Sequence, residues 1–203
     1  MQSIRSVISD LGKVILFFDN NIFLRKMMEV SPLSLEQMRE SIFAHFEIVE
    51  NFDRGKLSAH QFYEKALERL QAKISFEDFY NIYNDIFSLN PPVLNLLQKL
   101  KTRYRLVLLS NTDVMRFGFI RERFPEILIF DDYVLSFEVG QIKPHPDIYR
   151  VALEKAEAKA EECLFIDDRE DNIEGARQQG INSILFMNYN QLAASLKKYG
   201  FSF

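Results

Sequence analysis

Ile4-Arg5-Ser6-Val7-Ile8-Ser9-Asp10-Leu11-Gly12-Lys13-Val14 is the stretch from which the fold can be read. Val7 and Ile8 form a short β-branched apolar run that ends quickly, which predicts a buried strand rather than a helix. The run stops at a lone carboxylate, Asp10. Gly12 follows two residues on, where the chain turns sharply or something approaches the backbone closely. An open α/β sheet binds its ligands outside the carboxyl ends of its strands. Asp10 is therefore either a reactive group at a strand tip or a plain polar terminator, since Asp is a common turn former.

Four further apolar runs follow: Arg105-Leu106-Val107-Leu108-Leu109, Tyr133-Val134-Leu135, Leu164-Phe165-Ile166 and Ser183-Ile184-Leu185-Phe186. The segments between and after them read as helices. Pro91-Pro92 opens one of these, Pro being well placed in a first turn. One shows Met115 and Phe119, the next Ile148, Val151 and Leu153, and the last Leu192, Leu196 and Tyr199. Strands alternating with helices predict an α/β fold, a doubly wound parallel (Rossmann-like) sheet of about five strands.

Residues 17–87 break that alternation. Ile22, Leu24 and Met27-Met28 recur at helical spacing, and Met38, Ile42, Phe43 and Phe46 share a face of a second segment. Ser34 with Gln37 and Ser58 with Gln61 have the spacing of capping boxes. Gly55 reads as a helix stop. Ser75 heads a last segment with Phe79, Ile82, Tyr83 and Ile86 inward. The expected organisation is a core of 1–16 and 88–203 carrying an inserted helical cap of 17–87.

The chain has 203 residues and a net charge of −4 with both signs interspersed. Such a length suits one domain with a sizeable insertion, and the charge pattern excludes a basic nucleic-acid face. No apolar run approaches the ~20 residues that span a bilayer, and the N-terminus does not read as a signal peptide. The single cysteine, Cys163, falls in a strand and reads as a buried hydrophobe. One cysteine excludes an internal disulfide and fits a reducing compartment, so a cytoplasmic location is expected.

Polar groups sit at the ends of the predicted strands or in nearby loops: Asp10, Ser110-Asn111, Lys143 and Asp167-Asp168. Strands of a parallel sheet end on one side, so these groups can converge. Three close carboxylates repel one another unless a cation lies among them, and a few hard oxygen ligands suit Mg²⁺. A lysine and a hydroxyl-amide pair supply positive charge and donors for an anion. An anion beside Mg²⁺ suggests phosphate, on which a carboxylate can act as nucleophile.

Four motifs in order then carry a resemblance: Asp10-Leu11-Gly12-Lys13-Val14, Leu109-Ser110-Asn111-Thr112, Lys143-Pro144, and Phe165-Ile166-Asp167-Asp168 with Asn172. Together they resemble the haloacid dehalogenase-like superfamily, in its branch of α-glucose-1-phosphatases and epoxide-hydrolase phosphatase domains. The resemblance implies a Mg²⁺-dependent phosphatase that hydrolyses small phosphate esters, sugar phosphates among them, through an aspartyl-phosphate. It makes Asp10 the nucleophile and a metal ligand, the Gly12 carbonyl and Asp168 further ligands, and Asp167 a group close to the metal or its waters. Ser110 and Asn111 would hold phosphoryl oxygens, Lys143 would balance the charge, and Asn172 would be structural. A small phosphate ester is the expected partner, with no nucleic acid and no membrane.

One position departs from the pattern. Many phosphatases of this superfamily carry a second Asp two residues after the nucleophile as general acid and base, and here Gly12 stands there. His145 is a candidate substitute, or simply a loop histidine after a proline. Two other readings share the motifs: a 2-haloacid dehalogenase, in which the Asp167-Asp168 pair would be unwelcome without a metal, and a catalytically weakened binding protein, against which the set Asp10, Lys143 and Asp168 argues.

Overall fold

The first strand, β1 (Ser6–Ser9), is the middle of a five-stranded sheet and is buried along its whole length in the computed structural model, which describes residues 3–203 apart from the side chain of Phe43. The sheet order is β5-β4-β1-β6-β7, every pair parallel, with β4 at Arg105–Ser110, β5 at Asp132–Leu135, β6 at Cys163–Asp167 and β7 at Asn182–Leu185. The short β-branched run thus forms the strand its composition predicts. Its alternation sorts two cores. Val7 faces one side with Leu106, Leu108, Leu164 and Ile166, while Ile8 faces the other with Val107, Leu109 and Phe165.

Helices cover both faces, as a doubly wound sheet requires. The Val7 side packs helices α6 (Pro91–Lys101), α7 (Val114–Arg123) and α11 (Tyr189–Lys198), and the Ile8 side packs α9 (Pro146–Ala156) and α10 (Glu170–Gln178). In α9 the inward residues are Ile148, Tyr149 and Ala152, whereas Val151 and Leu153 are half-buried at the edges. In α7 they are Met115, Phe117 and Ile120. These small phase errors arise because an apolar residue at a stripe's edge counts in the sequence pattern like one at its centre. The strand order reverses at β1, whose neighbours β4 and β6 belong to opposite wings of the sheet. The crevice at that switch is where α/β sheets place ligands.

Between β2 (Leu16–Phe18) and β3 (Phe87–Leu89) lie five helices: α1 (Asn20–Met27), α2 (Leu35–Ala44), α3 (Phe46–Asp53), α4 (Ala59–Leu70) and α5 (Phe76–Asn84). They have a core of their own, built on Phe23, Leu24, Met27, Met38, Phe52, Phe62, Leu70, Phe79 and Tyr83. Ser34 with Gln37 and Ser58 with Gln61 form complete capping boxes, and Ser75 caps α5 through the Asp78 amide. Two inward assignments change. Phe23, not Ile22, is buried in α1, and Phe46 is exposed because the helix breaks at His45 and restarts as α3. Phe43's side chain is outside the described set.

β2 and β3 pair antiparallel, Leu16 with Leu89 and Phe18 with Phe87, so the chain enters and leaves the helical unit through one two-stranded ribbon. Two contacts seat the unit on the sheet domain. Gly55, at φ +66, lies against the backbone of α8 (Ser136–Val139), where a β-carbon would stand 2.2 Å from the Phe137 carbonyl oxygen. Tyr83 donates its hydroxyl to Asp113 Oδ2 at 2.8 Å. Among the described residues no helix is long and apolar enough to cross a membrane.

Candidate active site

Asp10 sits one residue beyond β1, its amide held by the Ile166 carbonyl of the neighbouring β6. Asp167 ends β6, and Asp168 follows it. The sheet therefore delivers three carboxylates to one point, and oxygens of Asp10, Asp167 and Asp168 all lie within 4.8 Å of one another. Lys143 reaches the same point from the loop between α8 and α9. Its ammonium is 3% exposed and donates to Asp10 Oδ1 at 2.7 Å, Asp167 Oδ2 at 2.7 Å and the Leu109 carbonyl at 2.9 Å. Burying an ammonium is expensive unless its donors are matched, and here all three are.

The same loop is fixed by Asn111. Its amide donates to the Lys143 carbonyl at 3.1 Å and accepts from the Lys143 N–H at 2.8 Å. Ser110, buried, ends β4 beside it. Asp167 is saturated: Asn172 Nδ2 donates to both its oxygens, at 3.0 and 3.1 Å, and the Arg169 amide to Oδ1 at 2.8 Å. Asn172 thus positions Asp167. Asp168 is the more open of the pair, with the Lys13 ammonium 3.8 Å from it.

Burial pushes the Asp10 carboxyl up to about 7, with Lys143 pulling it down and Asp167 adding to the rise. Burial and then Asp167 raise Asp168, against the pull of Lys13 and Lys143. Burial opposes the Lys143 charge, but Asp10 and Asp167 outweigh it and hold the ammonium above the usual lysine range. One lysine does not neutralise three carboxylates. A divalent cation among them would favour the ionised forms, and an all-oxygen donor set with room for a further anion suits Mg²⁺.

In the first loop the positive φ belongs to Lys13 (φ 55), while Gly12 has the close approach expected of it, a β-carbon there standing 3.0 Å from Phe18 Cε1. The His145 ring caps α9, its Nδ1 accepting from the Asp147 amide at 3.3 Å, and it lines the cavity that Lys143 also lines; this use of Nδ1 leaves Nε2 as the ring's donor. Cys163 is buried in β6, as expected of a small hydrophobe.

The helical unit roofs the carboxylates and encloses a cavity of about 940 Å³ reaching from Asp10, Lys143 and Asp168 to Asp53, Tyr83 and Arg116. Asp53 closes α3 two residues before Gly55, the helix stop read from the sequence. The helical stop was visible there, but nothing local says that the last carboxylate of α3 points inward.

Residues 63–180, more than half of the chain, match the family model for haloacid dehalogenase-like hydrolase. The chain belongs to this family. Within it, the chain is similar to a D-ribitol-5-phosphate phosphatase of Bacteroides thetaiotaomicron, 25% identical over 187 residues that cover 89% of this chain and 90% of the relative. It also matches a drimenol cyclase of Aspergillus calidoustus, 26% identical over 199 residues, but spans only 36% of that longer protein's length. A HAD-family enzyme of B. thetaiotaomicron, crystallised with magnesium and inorganic phosphate, superposes at a TM-score of 0.81 with 24% identity, covering 94% of this chain and 99% of the other. The haloacid dehalogenase-like fold read from four motifs is thereby established, and the chain is a hydrolase of that family.

Proposed function

We propose that this hydrolase is a Mg²⁺-dependent phosphatase of small phosphorylated metabolites, sugar and polyol phosphates among them, and that residues 17–87 serve as its cap. The observation that carries the reading is the meeting of Asp10, Asp167 and Asp168 within 4.8 Å around the buried Lys143 ammonium. A dehalogenase, which uses no metal, would have to keep Asp167 and Asp168 beside its nucleophile with only lysine ammonium groups to offset three carboxylates. The similarity to a sugar-alcohol phosphatase over nine tenths of both chains points the same way.

In this reading Asp10 attacks phosphorus through its free Oδ2, while Oδ1 stays on Lys143. An aspartyl-phosphate forms as the ester oxygen departs, and water then cleaves the acyl phosphate. Asp10, the Gly12 carbonyl and Asp168 would hold Mg²⁺, which would supply Lewis-acid stabilisation of the phosphoryl charge. Asp167 keeps the Lys143 ammonium in place. Lys143 meets the negative charge that gathers on the phosphoryl oxygens, as a preorganised donor in a dry site does most effectively. Ser110 supplies a hydroxyl to the phosphate. Asn111 spends its side chain on the Lys143 loop, so its contact with the phosphate is through the backbone.

A panel of phosphate esters assayed with and without Mg²⁺ tests the reading, together with trapping of beryllofluoride on Asp10. Release of phosphate that survives EDTA, or release of halide from a 2-haloacid, would overturn it.

A further inference from the structure

The cavity has a second polar region, away from the carboxylates, that the phosphate chemistry leaves unused. Asp53 closes α3, Arg54 follows it, Arg116 lies in the first turn of α7, and all three line the cavity. Asp53 Oδ1, Arg54 Nε and Arg116 Nε are buried, and none has a hydrogen-bond partner. Buried polar atoms without partners are few in native proteins, and each calls for an explanation. Three on the wall of one cavity are explained together if their partners arrive with a ligand.

The surroundings fix which ligand. Asp113 is fully buried and committed: Oδ1 accepts from the Met115 and Arg116 amides, and Oδ2 from the Tyr83 hydroxyl. The Arg116 guanidinium lies 4.4 Å over the Tyr83 ring, with Nε 3.7 Å from Asp113 Oδ2. Arg116 is thus held by a strut that is not available to a ligand, while its own donor remains open. Arginine only donates, and an ionised carboxylate only accepts. A hydroxyl does both, so one sugar hydroxyl or a vicinal pair can satisfy the two sides at once. A second phosphate or a carboxylate would suit Arg116 but confront Asp53, and an ammonium would meet the reverse conflict. Phe23, Phe62, Val49 and Leu70 give the same cavity apolar stretches of wall, which suit the C–H faces of a carbon chain.

We propose that Asp53 and Arg116 read the leaving group, selecting a neutral polyol over charged or hydroxyl-free alcohols. The inference rests on the phosphatase reading and adds to it the residues that choose the substrate. Burial, ahead of the nearby Asp113, pushes the Asp53 carboxyl up to about 7. The ionised form, which carries the discrimination against anions, therefore predominates above that value.

The test uses the full chain with Mg²⁺ and three esters: a pentitol 5-phosphate, n-pentyl phosphate of the same carbon count, and p-nitrophenyl phosphate. Sites built to bond a hydroxyl reject the analogue lacking it strongly, so kcat/KM for the pentitol ester should exceed that for the pentyl ester by at least about a hundredfold. That ratio should fall by about tenfold or more in Asp53→Asn and in Arg116→Gln, the loss expected for a hydrogen bond to a charged group. Both esters are read on one sample, so a lowered folded fraction cancels from the ratio. A wild-type ratio near one overturns the inference without any variant, and so does a ratio that the variants leave unchanged. Hydrolysis of p-nitrophenyl phosphate with no hydroxyl preference removes this inference alone, whereas hydrolysis of none of the three removes the phosphatase reading and the inference with it.

Discussion

A β-carbon on Gly12 would stand 3.0 Å from Cε1 of Phe18, whose ring edge fills the space that a side chain at position 12 would enter. The site therefore has no carboxylic acid where many related phosphatases carry one, and His145 is tied through Nδ1 to the start of α9. General acid help is typically worth about 10²–10⁴-fold. The expected result is a steep dependence of kcat/KM on leaving-group pKa in a matched ester series at fixed Mg²⁺, with sugar 1-phosphates and p-nitrophenyl phosphate ahead of 6-phosphates. Gly12→Asp should flatten that dependence. Its backbone is not in the left-handed region, and only the half-buried Phe18 ring has to shift, so adding Phe18→Leu should restore any stability lost. A flat line in the wild type would show that another residue gives the proton.

Removing Lys143 leaves Asp10 and Asp167 facing one another in a buried site. Loss of one member of a buried ion pair costs about 3–5 kcal/mol. Lys143→Met should lower the thermal midpoint accordingly in EDTA, and Mg²⁺ should recover part of the loss while activity stays reduced by about a hundredfold or more. Thermal unfolding with and without Mg²⁺ reads the first effect. Equal midpoints for variant and wild type would mean that the lysine charge is not what holds the carboxylates together.

Asp53 gives a pH signature. Its carboxyl is raised from 3.8 to about 7 in the fold, so between those values the folded chain holds a proton that the unfolded chain releases. Stability from this group is present below the unfolded pKa and is lost as pH rises toward the folded one. Asp53→Asn should remove that loss. The variant's stability relative to wild type should improve by about 2 kcal/mol between pH 5 and pH 8, as measured by denaturant unfolding at each pH. A pH-independent difference would place the carboxylate in a wetter setting than the fold indicates.

Gly55→Ala tests the seat of the helical unit. The residue is at φ +66, and the added carbon would collide with the Phe137 carbonyl at 2.2 Å. The left-handed penalty for a residue with a β-carbon is about 1–2 kcal/mol, and the backbone collision adds to it. A clear drop in thermal midpoint and a raised KM are expected, because the roof of the cavity would move off α8. Gly140→Ala is the control: φ is +80 but nothing lies within 4 Å, so only the backbone penalty applies.

The sheet was legible because its strands are buried on both faces and carry unbroken apolar runs, as Leu106 to Leu109 do. The converging carboxylates followed from parallel strands ending on one side. The ribbon of β2 and β3 was not legible: each strand is three residues long, and Phe17, exposed, gives no period to read. Asp53 and Arg116 were equally silent, since α3 and α7 meet only through tertiary packing and no spacing links residues so far apart in sequence. The cap role of His145 was legible in principle, because a histidine directly before Pro146 and Asp147 occupies a helix-capping position.

The ribbon also bears on how such a chain can be remade. Everything between Phe18 and Phe87 hangs from one pair of adjacent strands whose ends are already paired, Leu16 with Leu89 and Phe18 with Phe87. A different helical insert with its termini equally close could be grafted there without altering the register of any strand in the main sheet. Asp10, Lys143, Asp168 and Arg116 would stay with the sheet, while Asp53 would be exchanged with the insert. In modular terms, the proposed alcohol reader is split across the joint: one half is fixed with the sheet, and the other arrives with a cassette that enters and leaves through one short ribbon.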